Sequence, residues 1–122
     1  MTGGRYASLA VPLGEGRMEV FDAHSGAHTS DVLSRGTAEQ LYLAIRLGLI
    51  ARMGEVGSGL PVLMDDVLVN FDPERRLGAA RAIAQVATAR QIVFFTCHPE
   101  TAEAFADVAD DHVRINLARI AV

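Results

Sequence analysis

The stretch beginning at residue 60 admits few folds. Leu60-Pro61-Val62-Leu63-Met64 is an apolar run that stops at two acids, Asp65 and Asp66. Asp72-Pro73 then reads as a helix start, because an aspartate side chain can accept from the unpaired first-turn amides and proline has no amide to lose there. The helix it opens is expected over 73–90, with Leu77, Ala80, Ile83, Ala84 and Ala87 as its core stripe. A second apolar run occupies 91–96, and His98-Pro99 opens another helix in which Phe105 and Val108 face inward. A last strand is expected over 112–117, after Asp110-Asp111. The apolar runs read as buried parallel strands, and strand, helix, strand, helix, strand implies right-handed crossovers and a sheet covered by helices.

Upstream, residues 5–11 and 17–23 are short β-rich runs separated by Leu13-Gly14-Glu15-Gly16, the pattern of a hairpin, and 24–32 is loop-like. A long helix is expected over 37–53. Leu41, Ala44, Ile45, Gly48, Leu49 and Met53 recur at helical spacing, and Tyr42, Leu43, Leu47 and Ile50 widen the face, so this helix should be mostly buried. A glycine-rich break over 54–59 ends it. The fold class is therefore α/β: an N-terminal β-hairpin, a long helix and a parallel βαβ sheet covered by helices, in one domain over 1–122 without internal repeats.

The chain has 122 residues, 50% hydrophobic and 21% charged, which suits a globular chain with one core. Its apolar stretches are too short to span a membrane and its first residues lack signal-peptide character, so a cytoplasmic location and no membrane partner are expected. All eleven cationic residues are arginine. The absence of lysine excludes a P-loop lysine, a Schiff-base lysine and a polylysine nucleic-acid patch. A net charge of −4 gives no support to direct DNA binding by this chain. Arg75, Arg76, Arg81 and Arg90 read as the solvated face of one helix, and Cys97, the single cysteine, as a small buried residue beside a strand end.

Ligands of parallel sheets bind at the carboxyl ends of the strands, where Asp65, Asp66, Thr96 and His98 fall. An acid delivered there by an apolar strand can hold magnesium beside a phosphate, and a second acid can orient or deprotonate a water; two acids can also simply begin a solvated loop. In Leu33-Ser34-Arg35-Gly36-Thr37, Ser34 offers a hydroxyl, Gly36 permits close backbone approach and the helix amides favour an anion. Ordinary capping explains the same residues, since Thr37 with Gln40 fits a capping box. His98 can reach a phosphate or water at the sheet edge, or serve as a cap beside Pro99. His24 and His28 have the spacing of helical metal ligands, but Ser25-Gly26 between them argues against a helix.

Taken together, these elements stand in the order and spacing of a known family. Ser34-Arg35-Gly36-Thr37 with Gln40 and Leu41 resembles the ABC signature motif of SMC-like ATPases. Residues 60–66 resemble Walker B, Val69-Asn70-Phe71-Asp72 the D-loop, and Thr96-Cys97-His98-Pro99 the switch histidine. The runs LSRGTAEQLYLAIRLGLI, LMDDVLVNFD and FFTCHPE look closest to the YhaN-type branch. The resemblance covers roughly residues 5–117 and implies the C-terminal lobe of a P-loop NTPase-like, ABC-type ATPase head, whose N-terminal lobe carries Walker A and the Q-loop across a long coiled coil.

By that resemblance Asp65 would hold Mg2+ through water, and Asp66 would take the place of the general base, normally glutamate. His98 would contact the γ-phosphate of ATP. Ser34, Arg35, Gly36 and Thr37 would form the signature presented to nucleotide on the opposite head, and Asp72 would belong to the D-loop that communicates across the dimer. Arg35 replaces the glycine common in transporter signatures. The implied partners are an N-terminal Walker A lobe and a second ATPase head, with DNA reached through the full protein in DNA repair or chromosome organisation. Walker A and a heptad arm do not occur in the chain, so negligible ATP hydrolysis is expected of it alone. Two other functions fit parts of the pattern: an inactive lobe that binds or regulates a partner ATPase, and a metal-dependent hydrolase using Asp65, Asp66 and His98.

Overall fold

A computed structural model describes residues 6–10, 19–22, 26–29, 34–54 and 59–117. Three strands, β1 (Tyr6–Ala10), β2 (Glu19–Asp22) and β3 (Gly26–Thr29), form an antiparallel sheet in that order. The expected hairpin pairs as β1 with β2 from Ala10↔Glu19 to Tyr6↔Asp22, with a register irregularity between Tyr6 and Ser8; its Gly-rich connection lies outside the described residues. The 24–32 segment is not simply a loop. Its residues 26–29 pair with β2, from Asp22↔Gly26 to Glu19↔Thr29. Weak intrinsic β-propensity in Gly-Ala-His-Thr is overridden by a neighbouring edge that offers backbone partners.

Helix α1 (Arg35–Gly54) leads to β4 (Val62–Asp65), α2 (Pro73–Ala87), β5 (Ile92–Phe95) and α3 (Pro99–Ala106). Strands β4 and β5 are parallel neighbours in the register Val62↔Ile92 to Asp65↔Phe95, as the βαβ pattern requires. Asp72 caps α2: its Oδ1 accepts from the Arg75 amide at 2.9 Å, with Pro73 at the first helical position. The helix ends at Ala87, short of the expected 90, and Thr88 closes the turn by donating its hydroxyl to the Gln85 carbonyl at 2.8 Å.

The core joins α1, β4, the turn after it and α2 through Leu43, Leu47, Met64, Leu68, Phe71, Ala79 and Ile83. Phe94 of β5 and Phe105 of α3 pack onto it, their ring centroids 4.8 Å apart. Inward Val62, Met64, Ile92 and Phe94 alternate with outward Leu63, Asp65 and Phe95. Leu63 is 67% and Phe95 44% exposed, so the helices cover one face of the β4–β5 pair rather than both. The expectation of two buried strands is corrected accordingly.

The same correction applies to α1, which is not mostly buried. Thr37, Gln40, Leu41, Leu43 and Leu47 are buried, but the predicted core residues Leu49 and Met53 are exposed together with Tyr42. The helix is apolar on two sides, and α2 covers only one of them. In α2, Ala79, Ala80 and Ile83 are buried, whereas Ala87 is exposed. The expected strand over 112–117 is irregular chain ending in a short helical turn, with Val113, Ile115 and Leu117 exposed. Its alternating apolar pattern suits a strand, but no strand among the described residues supplies the hydrogen-bond ladder that would make it one. No described helix is long and apolar enough to cross a membrane.

Candidate functional site

The carboxyl ends of β4 and β5 bring Asp66 together with Thr96, Cys97 and His98. The Asp66 amide donates to the Phe95 carbonyl at 3.0 Å, extending the strand pairing by one bond before the chain turns. That turn puts Asp66 at φ +46°, in the left-handed region that aspartate visits more readily than most non-glycine residues. The Val69 amide closes the turn on the Asp66 carbonyl at 3.2 Å.

The Asp66 carboxylate is held on both oxygens. Thr96 donates its hydroxyl to Oδ1 at 2.6 Å, and the Cys97 thiol donates to Oδ2 at 3.4 Å. His98 Nε2 lies 3.9 Å from the same Oδ2, while its amide donates to Thr96 Oγ1 at 3.1 Å. The Thr96 hydroxyl holds the Asp66 carboxyl below the usual aspartate range, helped by the thiol and the neighbouring imidazole. Reciprocally, the hydrogen bond to Asp66 and its negative charge push the Cys97 thiol up, so it stays protonated near neutral pH.

A second cluster forms where α1 begins. Helix α1 starts at Arg35, and the cap is Ser34, which accepts from the Thr37 amide at 3.3 Å. Thr37 is therefore a buried residue of the first turn, its hydroxyl 2.8 Å from that of Ser34, and not the first member of a capping box with Gln40. Arg75 on α2 donates to Thr37 Oγ1 at 3.4 Å and pairs with Asp72 Oδ2 at 3.2 Å. A Cβ on Gly36 would sit 2.6 Å from Arg75 Nη1, so the missing side chain makes room for the guanidinium. Glu39 accepts from Arg35 at 3.1 Å and from Asn70 at 3.2 Å. Two segments far apart in sequence, 34–39 and 70–75, are thus joined by side-chain bonds.

The structure brings Asp66 and His98 together, and separately Ser34, Gly36, Thr37 and Asp72. Asp65 stands exposed at the end of β4, outside the one group of potential metal ligands among the described residues, which is Asp66, Cys97 and His98. Cys97 is exposed and joined to Asp66, correcting its reading as a buried residue. A cysteine beside a histidine just past a strand end was the available signal. Arg75 and Arg76 are not a solvated face either, since both are half-buried and Arg76 donates to the Phe71 carbonyl at 2.9 Å. The spacing of Asp72 and Arg75 foretells their ion pair, but nothing local foretells the bond to Thr37. His24 lies outside the described residues.

No protein-family model matches the chain. In sequence it is similar to the uncharacterized protein YhaN of Bacillus subtilis (strain 168), 36% identical over 107 residues that cover 86% of this chain and 11% of that protein. In fold it is similar to a solved structure from work on the structural biochemistry of ATP-driven dimerization and DNA-stimulated activation of SMC ATPases. That superposition has a TM-score of 0.60 and covers 80% of this chain and 61% of the other, at 15% sequence identity.

Proposed function

We propose that this chain, an SMC-like ATPase lobe by its likeness to YhaN in sequence and to the SMC ATPase in fold, supplies one half of a composite ATP site. The lobe corresponds to the C-terminal part of a P-loop NTPase-like head and works with a lobe that carries Walker A. The observation that carries the reading is the meeting of Asp66 and His98 at the carboxyl ends of two parallel strands, where phosphoryl-transfer sheets keep their chemistry.

The donor chemistry fits. Asp65 offers hard carboxylate oxygens exposed at the strand end, the ligand type magnesium takes, and would hold it through water. Bound magnesium supplies positive charge that offsets the charge of a transferred phosphoryl group. Asp66, ionised across neutral pH, orients the attacking water and accepts its proton, and His98 reaches toward the terminal phosphate. Ser34, Arg35, Gly36 and Thr37 are presented to nucleotide held by a second head. The Arg75 bridge couples that signature to Asp72, so a shift at the dimer face moves both together.

The uncovered surfaces support a covering partner. Leu63 and Phe95 lie on the bare sheet face, Tyr42, Leu49 and Met53 on the open side of α1, and Val113, Ile115 and Leu117 on a chain with the pattern of a strand. An N-terminal lobe would cover them, and ATP would join two such heads in the service of DNA repair or chromosome organisation. A second reading, a catalytically silent lobe that regulates a partner ATPase, is favoured by the Asp66 carboxylate itself. It is one methylene shorter than glutamate, and both its oxygens are occupied by Thr96 and Cys97.

ATP hydrolysis by the chain alone and mixed with a Walker A lobe decides between these. Activity in the mixture only, abolished by Asp66→Asn, is the expected result. Association without hydrolysis would replace it with the silent-lobe reading, and hydrolysis by the chain alone would overturn both.

A further inference from the structure

We propose that Asp66 Oδ2, Cys97 Sγ and His98 Nε2 form a binding site for a divalent cation of the zinc class, with one coordination position left open. These three atoms lie within 4.8 Å of one another. Zinc bonds of about 2.0–2.3 Å to oxygen, nitrogen and sulfur place tetrahedral ligand atoms about 3.3–3.8 Å apart. The Sγ–Oδ2 separation of 3.4 Å already lies in that range, and the Nε2–Oδ2 separation of 3.9 Å lies outside it, so the imidazole has to move toward Asp66 on binding. A thiol, an imidazole and a single carboxylate oxygen are a donor set for zinc or cobalt and a poor one for magnesium, which prefers oxygen alone.

The surroundings are those of a prepared site. Thr96 engages Oδ1 and orients the carboxylate so that Oδ2 faces the thiol and the ring. On the far side of the ring, Glu100 Oε1 lies 3.7 Å from His98 Nδ1, longer than a hydrogen bond, while Nε2 is the ring nitrogen on the Asp66 side. The exposed thiol and the partly exposed Asp66 and His98 leave a path for the ion. On binding, the Cys97 thiol gives its proton to solvent and the thiolate takes the metal bond. The ion requires no nucleotide. It draws on the residues proposed above as water-orienting base and γ-phosphate contact, so zinc would withhold them from that chemistry.

The test uses the metal-stripped chain without nucleotide, so its failure is distinct from failure of the ATPase reading. Zinc is titrated against a chromophoric chelator, and cobalt(II) serves as a spectroscopic probe. We expect one zinc per chain and a near-ultraviolet thiolate-to-cobalt charge-transfer band. Cys97→Ser should abolish the band and weaken zinc binding by about tenfold or more, and Asp66→Asn should weaken it similarly. Cys97 is exposed, so serine there leaves the fold intact, which an unchanged melting curve verifies. The proposal is overturned if zinc binds Cys97→Ser as tightly as wild type, if binding is lost instead on replacing His24, His28 and His112 by alanine, or if no cobalt–thiolate band forms.

Discussion

Leu63 and Leu68 stand a few residues apart on either side of Asp65 and Asp66, yet truncating them should have very different consequences. Leu68 is fully buried in the turn between Asp66 and Asp72, packed into the cluster that contains Leu43, Met64, Phe71 and Ile83. Leu68→Ala removes three carbons, a transfer loss of about 2.4 kcal/mol at about 0.8 kcal/mol per methylene. Leucine-to-alanine changes in cores range over about 2–5 kcal/mol according to how far the cavity collapses. A turn relaxes more readily than a helix, which places Leu68→Ala near 3 kcal/mol, an order-of-magnitude figure. At about 4 °C per kcal/mol for a chain of this size, the melting temperature should fall by about 12 °C. Leu63→Ala, at 67% exposure, should cost under about 1 kcal/mol in the isolated chain. Urea denaturation followed by circular dichroism measures both, with the midpoint displaced and the slope unchanged for Leu68→Ala. Equal losses for the two variants, or a loss under about 1 kcal/mol at Leu68, would refute the one-sided sheet and the core assigned to the turn.

Two further outcomes follow from named contacts. Asp72→Ala removes the carboxylate that accepts from the Arg75 amide, and should cost about 1 kcal/mol in thermal denaturation; a change below the error of the melt would show that Pro73 starts α2 unaided. The Thr96 hydroxyl lowers the Asp66 pKa in the folded chain, so this carboxylate contributes stability that is complete above its unfolded value of about 4 and is lost as pH falls through the depressed folded value. Asp66→Asn should therefore flatten the fall of melting temperature below about pH 4, and an acid limb as steep as that of wild type would refute the assignment.

What the sequence determined by itself was local. An aspartate before a proline starts α2 because the cap needs only the amide three residues on, and Asp72 does bond Arg75 there. Two apolar runs separated by a helix form a parallel pair because the connection permits little else, and β4 and β5 do so with Asp66 and His98 at their carboxyl ends. The resemblance of four segments to ATPase motifs and the likeness to YhaN rest on the same kind of information, residue types in order. Tertiary structure alone decided which apolar surfaces are covered. Helix α1 carries apolar residues on two sides, and only the position of α2 selects Leu43 and Leu47 over Leu49 and Met53. Strand β3 exists because β2 offers it a ladder, whereas 113–117, with a better strand pattern, finds none among the described residues. The bridge from Arg75 to Thr37 and the bonds from Thr96 and Cys97 to Asp66 likewise join groups about thirty or more positions apart. Caps and periodicities act within a turn or two of chain, while burial and long-range hydrogen bonds depend on which surfaces meet, and that is set by packing.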